Sequence, residues 1–212
     1  MNFSFLPKYY QFFISGTGYT LLISALTVLF GVIGGLALSL MKQSNNKILK
    51  TFAVVYIEFI RGTPLLIQLY IVYYGISNIP MLVAGVIAMS VNSSAYIAEI
   101  IRAGINAVDK GQMEAGRSLG LSVGQTYKSI IIPQAMKNIL PAMGNEFIVL
   151  IKESAIVSVI GIHDLMYNTD TIRGITFIAF EPLIVAAGIY FVLTFTLSKA
   201  LGTLEKRWAV SD

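Results

Sequence analysis

Residues 107–135 read AVDKGQMEAGRSLGLSVGQTYKSIIIPQA, a polar and charged interlude in a chain otherwise built from long apolar runs. Helix-to-helix connections rarely exceed about eight residues, so this stretch requires structure of its own. Asp109, followed by Gln112, predicts an N-cap with a reciprocal partner at N3. Gly120 suits the left-handed position just past a helix end. Ser122 with Gln125 repeats the capping signal, and Pro133 is expected to stop the second helix. Two short helices follow, each roughly 15 Å long at 1.5 Å per residue, joined by an elbow at Gly120-Leu121. Met113 and Leu119 fall on one side of the first helix, and Val123, Tyr127 and Ile130 on one side of the second. The elbow is too polar for lipid and too short for a domain. It reads as a docking element for another protein, with an amphipathic hairpin lying on the bilayer as the alternative.

Outward from the elbow the chain is apolar. Of its 212 residues 56 % are hydrophobic and 12 % charged, against about a quarter charged in ordinary soluble domains. Five segments are long enough to cross roughly 30 Å of hydrocarbon, at about 19–41, 51–74, 81–102, 137–160 and 181–204. Residues 1–18 read as an aromatic interfacial lead-in without the basic start and cleavage site of a signal peptide. Residues 19–205 form the transmembrane domain, and 206–212 a tail. Lys42, Lys47, Lys50, Lys110, Arg117, Lys128, Lys137, Lys206 and Arg207 all fall in connections on one side. The other side carries Lys8 and Arg173 with Asp164, Asp170 and Glu181. The positive-inside bias therefore places the elbow and the C-terminus inside and the N-terminus outside. The absence of cysteine excludes disulfides and thiolate metal sites. The dispersed net charge of +4 does not point to nucleic acid.

Polar groups inside the spans mark where chemistry is possible, since charges there are expensive. The second span contains Glu58-Phe59-Ile60-Arg61-Gly62-Thr63-Pro64, where Pro64 is expected to kink or unwind the helix. Glu58 and Arg61 either neutralise each other at i, i+3 or flank a cavity at a broken helix. Gln68, Tyr70, Tyr73 and Tyr74 suit a partly wet wall or an outer aromatic belt. In the third span Asn92, Ala95, Glu99 and Arg102 share one stripe. Glu99 and Arg102 can pair structurally, while Asn92, Ser93 and Ser94 suit a cavity wall. The fourth span, expected after Pro141, carries Asn145, Glu146, Lys152, Glu153, Ser154 and Ser158. Glu153 lies near mid-membrane depth, where a carboxylate needs a cation or donors to stay charged. The glycines of the first span predict close helix packing. His163, the only histidine, stands beside Asp164 without a nucleophile or a metal cluster, so no catalytic role is assigned.

Glu114-Ala115-Gly116, three residues, Gly120, nine residues, then Ile130-Ile131-Ile132-Pro133 resembles the EAA loop of the membrane subunits of ATP-binding-cassette importers. Gly116 stands for the family's second Ala and Ile132 for its Leu. FIRGTPLLIQLY in the second span and SAYIAEIIRAGI in the third resemble the polar amino-acid branch of that family, and the likeness covers about residues 15–205. It implies an all-α, five-span type I importer transmembrane domain in a bacterial cell membrane, with the elbow docking an ATPase subunit through Glu114, Ala115, Gly116, Gly120 and Leu121. It also implies a second permease subunit, identical or closely related, an extracellular solute-binding protein, and ATP with Mg on the partner ATPase. No G-x-x-x-x-G-K-[ST] phosphate loop occurs in this chain, so it is expected to be no enzyme itself. An amino-acid solute is a zwitterion and needs both an acceptor and a cation. Asn92, Ser94 and Glu153, with Ser154 beside it, are expected to hold the ammonium end, and Arg61 or Arg102 the carboxylate. The acidic residue leans towards a basic amino acid. A secondary transporter or channel is the competing class; it requires internal repeats or a coupling-ion site.

Overall fold

The computed structural model describes residues 1–209 and is all-helical, with no strand among them. Helix α1 (Leu6–Gln43) is followed by α2 (Lys47–Arg61), α3 (Leu65–Gly75) and α4 (Met81–Asn106). The elbow comprises α5 (Lys110–Ser118), a single turn α6 (Val123–Thr126) and a π-helical turn over Tyr127–Ile131. Helix α7 (Ile132–Glu153) continues into a 3-10 stretch over Ser154–Ile160; α8 (Leu165–Thr176) and α9 (Glu181–Ala209) complete the chain.

By length and composition α1, α4 and α9 each suffice to cross a membrane, and α2 with α3, bent by 107° at their break, are apolar enough only taken together. Helix α7 takes the place of the remaining expected span. It carries Lys137, Asn145, Glu146 and Lys152, of which Glu146 is half-buried and the other three are exposed. The lead-in expected over 1–18 is mostly the first part of α1 itself, which starts at Leu6. Residues 206–209 of the expected tail continue α9, and 210–212 lie outside the described residues.

Helix α4 is the central post. Helix α1 lies along it so closely that a Cβ on Gly35 would stand 2.6 Å from Ile97 Cγ2 and 3.1 Å from the Ala98 nitrogen. The core on one side of α4 gathers Ile23, Leu69, Met89, Leu150 and Val157, all essentially inaccessible to solvent. At the end remote from the elbow, Phe5, Phe13, Leu165, Ile172 and Ala186 join the start of α1 to α8 and α9. Asp164 caps α8 by accepting from the Met166 and Tyr167 N–H groups at 3.2 and 3.0 Å. Asn168 Nδ2 donates to the Phe12 carbonyl at 2.8 Å, and the Leu165 N–H donates to Thr20 Oγ1. Helix α8 is thus tied to α1 by hydrogen bonds between a side chain of one helix and the main chain of the other.

Two expectations about prolines change. Pro133 does not stop a helix; it enters the first turn of α7, where its missing N–H costs little. The π turn just before it pairs the Ile132 N–H with the Tyr127 carbonyl, five residues back, so the elbow runs into α7 without a gap. Helix α7 also passes through Pro141 rather than beginning after it.

Candidate functional site

The elbow is closed by its own caps and turn hydrogen bonds. Asp109 accepts from the Gly111 N–H at 2.6 Å and caps α5. The expected reciprocal contact from Gln112 is replaced: its side-chain oxygen accepts from Gln134 Nε2 of α7 at 3.1 Å, which anchors α5 to the next helix. At the other end Gly120 adopts φ +82°. Its N–H donates to the Arg117 carbonyl, and the Leu121 N–H reaches the Gly116 carbonyl at 3.1 Å. This is the Schellman closure of a helix, for which glycine is the favoured residue. Arg117 Nη1 donates to the Leu121 carbonyl at 2.8 Å and braces the turn. Ser122 and Gln125 form the expected capping box. Gly116 has a packing reason: a Cβ there would stand 2.6 Å from Thr126 Cγ2. The elbow's two arms touch at that point. Glu114, Ala115, Gly120 and Leu121 gather around this turn, with Leu119 four-fifths exposed beside it.

The break between α2 and α3 is held by side chains. Gln68 Nε2 donates to the Ile60 carbonyl at 2.8 Å, to the Thr63 carbonyl at 3.1 Å and to Thr63 Oγ1 at 2.9 Å. These are groups that a terminated helix leaves without partners. Gln68 is therefore buried at the break, not on a wet wall or in an aromatic belt. Its own oxygen accepts from Asn92 Nδ2 at 3.0 Å, which locks the break to α4.

Arg61, at the end of α2, leans over the Tyr96 ring at 5.4 Å and reaches Glu99 at 4.0 Å. Glu99 is the hub of a charge cluster. Lys42 of α1 meets one of its oxygens at 2.6 Å, and Arg102 meets the other at 2.8 Å through both Nε and Nη2. One carboxylate thus carries three cations from three helices, so the cluster has surplus positive charge. A cavity of about 360 Å³ opens here, lined by Arg61, Tyr96, Glu99, Arg102, Ala103 and Glu146. Glu146 approaches from α7, with Ser93 Oγ at 3.5 Å. The pocket lining therefore holds two arginines and two carboxylates, Glu99 and Glu146, around a space of small-solute size.

The residues expected to bind solute divide into two groups. Arg61 and Arg102 come together in this pocket. Asn92 is engaged by Gln68, and Ser94 donates to the Val91 carbonyl at 2.7 Å while meeting the Tyr56 hydroxyl at 3.0 Å. Ser154 is buried and donates to the Ile151 carbonyl. Glu153 is exposed at the end of α7, seven residues and so two turns beyond Glu146 on the same face. Tyr96 and Glu146 line the pocket without having been singled out from sequence. The seven-residue spacing of Glu146 and Glu153 was the available signal. Among the described residues there is no cluster of side chains able to hold a metal ion.

Comparison with known proteins bears on this arrangement. Residues 27–210 match the family model for "binding-protein-dependent transport system inner membrane component". The chain is 43 % identical to a putative glutamine transport system permease protein of Rickettsia conorii, covering 99 % of this chain and all of the relative. It is 42 % identical to the arginine transport system permease protein of Bacillus subtilis, covering 100 % of this chain and 99 % of the relative. A crystal structure of an amino acid ABC transporter with histidines matches with a TM-score of 0.93 at 54 % identity, covering 98 % of this chain and all of that one. The inward-facing MetNI methionine ABC transporter shares the fold at 16 % identity, with a TM-score of 0.79, covering 98 % of this chain and 99 % of that one.

Proposed function

This chain belongs to the family of binding-protein-dependent transport system inner membrane components, and from that premise we propose how it works as the permease subunit of an amino-acid importer. It lies in the bacterial inner or cytoplasmic membrane beside a second permease subunit, with the elbow and C-terminus in the cytoplasm and the N-terminus outside. An extracellular binding protein delivers the solute. A separate ATPase subunit, holding ATP and Mg, docks on the elbow around Glu114, Ala115, Gly116, Gly120 and Leu121. The capped, closed elbow passes movement of the ATPase to α7 as a lever, because α5 is bonded to α7 through Gln112 and Gln134. The energy enters as a difference in contacts between outward- and inward-open states.

The observation that carries the substrate reading is the pocket that holds both arginines and Glu146 in its lining. The solute's carboxylate goes to Arg61. Arg102 is already held by Glu99 at two short contacts, whereas Arg61, about equally exposed, reaches that carboxylate only at 4.0 Å. Glu146 and Glu153 take the ammonium and a positively charged side chain, which favours a basic amino acid. Glu153 stands exposed where α7 passes into the 3-10 stretch, within reach of a solute cation. Asn92, Ser94 and Ser154, engaged by neighbouring groups here, support the packing behind this path.

The test is ATP-driven uptake by the reconstituted complex. Arg61→Ala and Glu146→Gln should each lower uptake about tenfold or more, the factor that ~1.4 kcal/mol of lost interaction produces. Arg61→Lys should recover part of it. Glu153→Gln should depress arginine uptake more than glutamine uptake. Unchanged uptake by both Arg61→Ala and Glu146→Gln would place the solute elsewhere.

A further inference from the structure

A second cavity, of about 460 Å³, lies on the other side of α4 from the charged pocket. Its α4 wall is Ile101 and Ile105, half a turn around the helix from Tyr96 and Ala103. Helix α1 contributes Leu36 and Leu40 among others, and α7 contributes Met136 and Leu140. The groove runs along α1 from Val32 to Gln43, roughly 16 Å at 1.5 Å per residue. That is about half of a hydrocarbon core roughly 30 Å thick, the depth of one leaflet. Its polar members, Ser39, Gln43 and Tyr127, all lie at the elbow end; the rest of the lining is apolar. Exposed lysines stand next along the chain from that rim, Lys128 beside Tyr127 and Lys47 four residues past Gln43. On α1, Ile33 is more than half exposed beside the groove, so the groove is continuous with an apolar exterior.

We propose that this groove is a binding site for one acyl chain of an anionic glycerophospholipid from the leaflet on the elbow side. The chain lies between α1 and α7, and the phosphate sits at the rim near Lys47 and Lys128. Length, one-ended polarity and the exposed lysines next along the chain from the rim all fit that occupant. Tyr127 and Ile132, which line the groove, are also where the π turn hands over to α7. A bound acyl chain therefore braces the joint through which the elbow moves the helices. The cytoplasmic assignment of that leaflet rests on the importer reading; the groove and its occupant do not.

The assembled complex, in nanodiscs of phosphatidylcholine containing phosphatidylglycerol with a photoreactive diazirine in one acyl chain, provides the test. Adducts mapped by mass spectrometry should fall on Leu36, Leu40, Met136 and Leu140 about tenfold more than on the exposed Leu22 and Leu29 of α1, a ratio equivalent to about 1.4 kcal/mol. Labelling should saturate and be competed by unlabelled phosphatidylglycerol in the unmodified protein. Met136→Trp, which fills the groove, should suppress the adducts, and Lys47→Gln with Lys128→Gln should abolish the preference over phosphatidylcholine. Adducts spread evenly over the apolar exterior without saturation would overturn the site. Labelling that appears only when the ATPase or second permease is stripped away would show that a protein fills the groove instead, and would also overturn it. Thiol labelling of Ser118→Cys reports the elbow's sidedness separately, so a wrong orientation is not confused with a wrong site.

Discussion

Gln68 donates across the gap between α2 and α3, and Asn92 holds it in place. Replacing Gln68 with Leu keeps the volume but leaves the Ile60 carbonyl and the Asn92 amide without these partners. A buried polar group without its partner costs about 1–3 kcal/mol. Gln68→Leu should therefore lower the thermal unfolding midpoint of the detergent-solubilised protein, with Asn92→Leu lowering it less. Equal stability of Gln68→Leu and the parent would show that water takes over the bonding. Glu99 offers a second prediction at this scale. Its removal leaves Lys42 and Arg102 without their closest acceptor and frees Arg61. Glu99→Gln should destabilise the fold, whereas Arg61→Ala should change uptake with little change in unfolding midpoint. That contrast separates the structural pair from the solute contact.

The elbow and the outer helix α8 are the two elements whose ends carry the argument. Gly120 at φ +82° is followed by open space, so a side chain there meets backbone strain rather than a clash. Gly120→Val should reopen the Schellman closure at a cost of about 1–2 kcal/mol, and weaken co-purification of the ATPase while the helices stay inserted. Gly116→Val meets Thr126 directly and should be worse. At the opposite end, Asp164 is buried in the loop before α8, and its carboxyl is pushed up to about 6 from 3.8 by desolvation, against the helping N–H groups of Tyr167 and Met166. A carboxyl raised on folding makes the native state bind the extra proton. Stability from this group is therefore present below about pH 4 and is lost as the pH rises through about 6. The loss approaches about 3 kcal/mol at ~1.4 kcal/mol per unit. Asp164→Asn keeps a capping oxygen and cannot ionise, so its unfolding midpoint should overtake that of the parent above pH 6. A parallel pH dependence of the two proteins would show that Asp164 stays charged and hydrated.

For the whole molecule the decisive measurement is sidedness. Ser118→Cys and Ser122→Cys, each in a chain with no native cysteine, should react with an impermeant thiol reagent only from the cytoplasmic face. Reaction from outside would invert the topology and remove the elbow from the ATPase. Large apolar surface remains on the isolated chain: Phe59, Ile71, Tyr74, Phe191 and Val192 are each at least 60 % exposed. Lipid and a second permease subunit are the two surroundings that can cover such surface, and the proposed assembly supplies both.

Local patterns were enough for the helical class, the elbow and its caps. The signals at Asp109, Gly120 and Ser122 act within a few residues of chain, and their hydrogen bonds form with near neighbours whatever the rest of the molecule does. The long apolar runs mark α1, α4 and α9 for the same reason, since hydropathy depends on composition over a single helix length. The expected span at 137–160 falls instead on α7, which is not apolar enough to qualify by composition. The 107° bend needed more. Pro64 announced a break, but its angle follows from Gln68 reaching back to Ile60 and from Asn92 reaching across from α4. Partners also decided the charges. Arg61 sits three residues from Glu58 in sequence, yet it turns to Glu99 and the Tyr96 ring on another helix. Glu146 acquired a place in the pocket only because α7 packs beside α4, and the apolar groove exists only where α1, α4 and α7 diverge. Most of these contacts join residues two dozen or more positions apart, and their geometry is fixed by how helices pack, which no local spacing encodes.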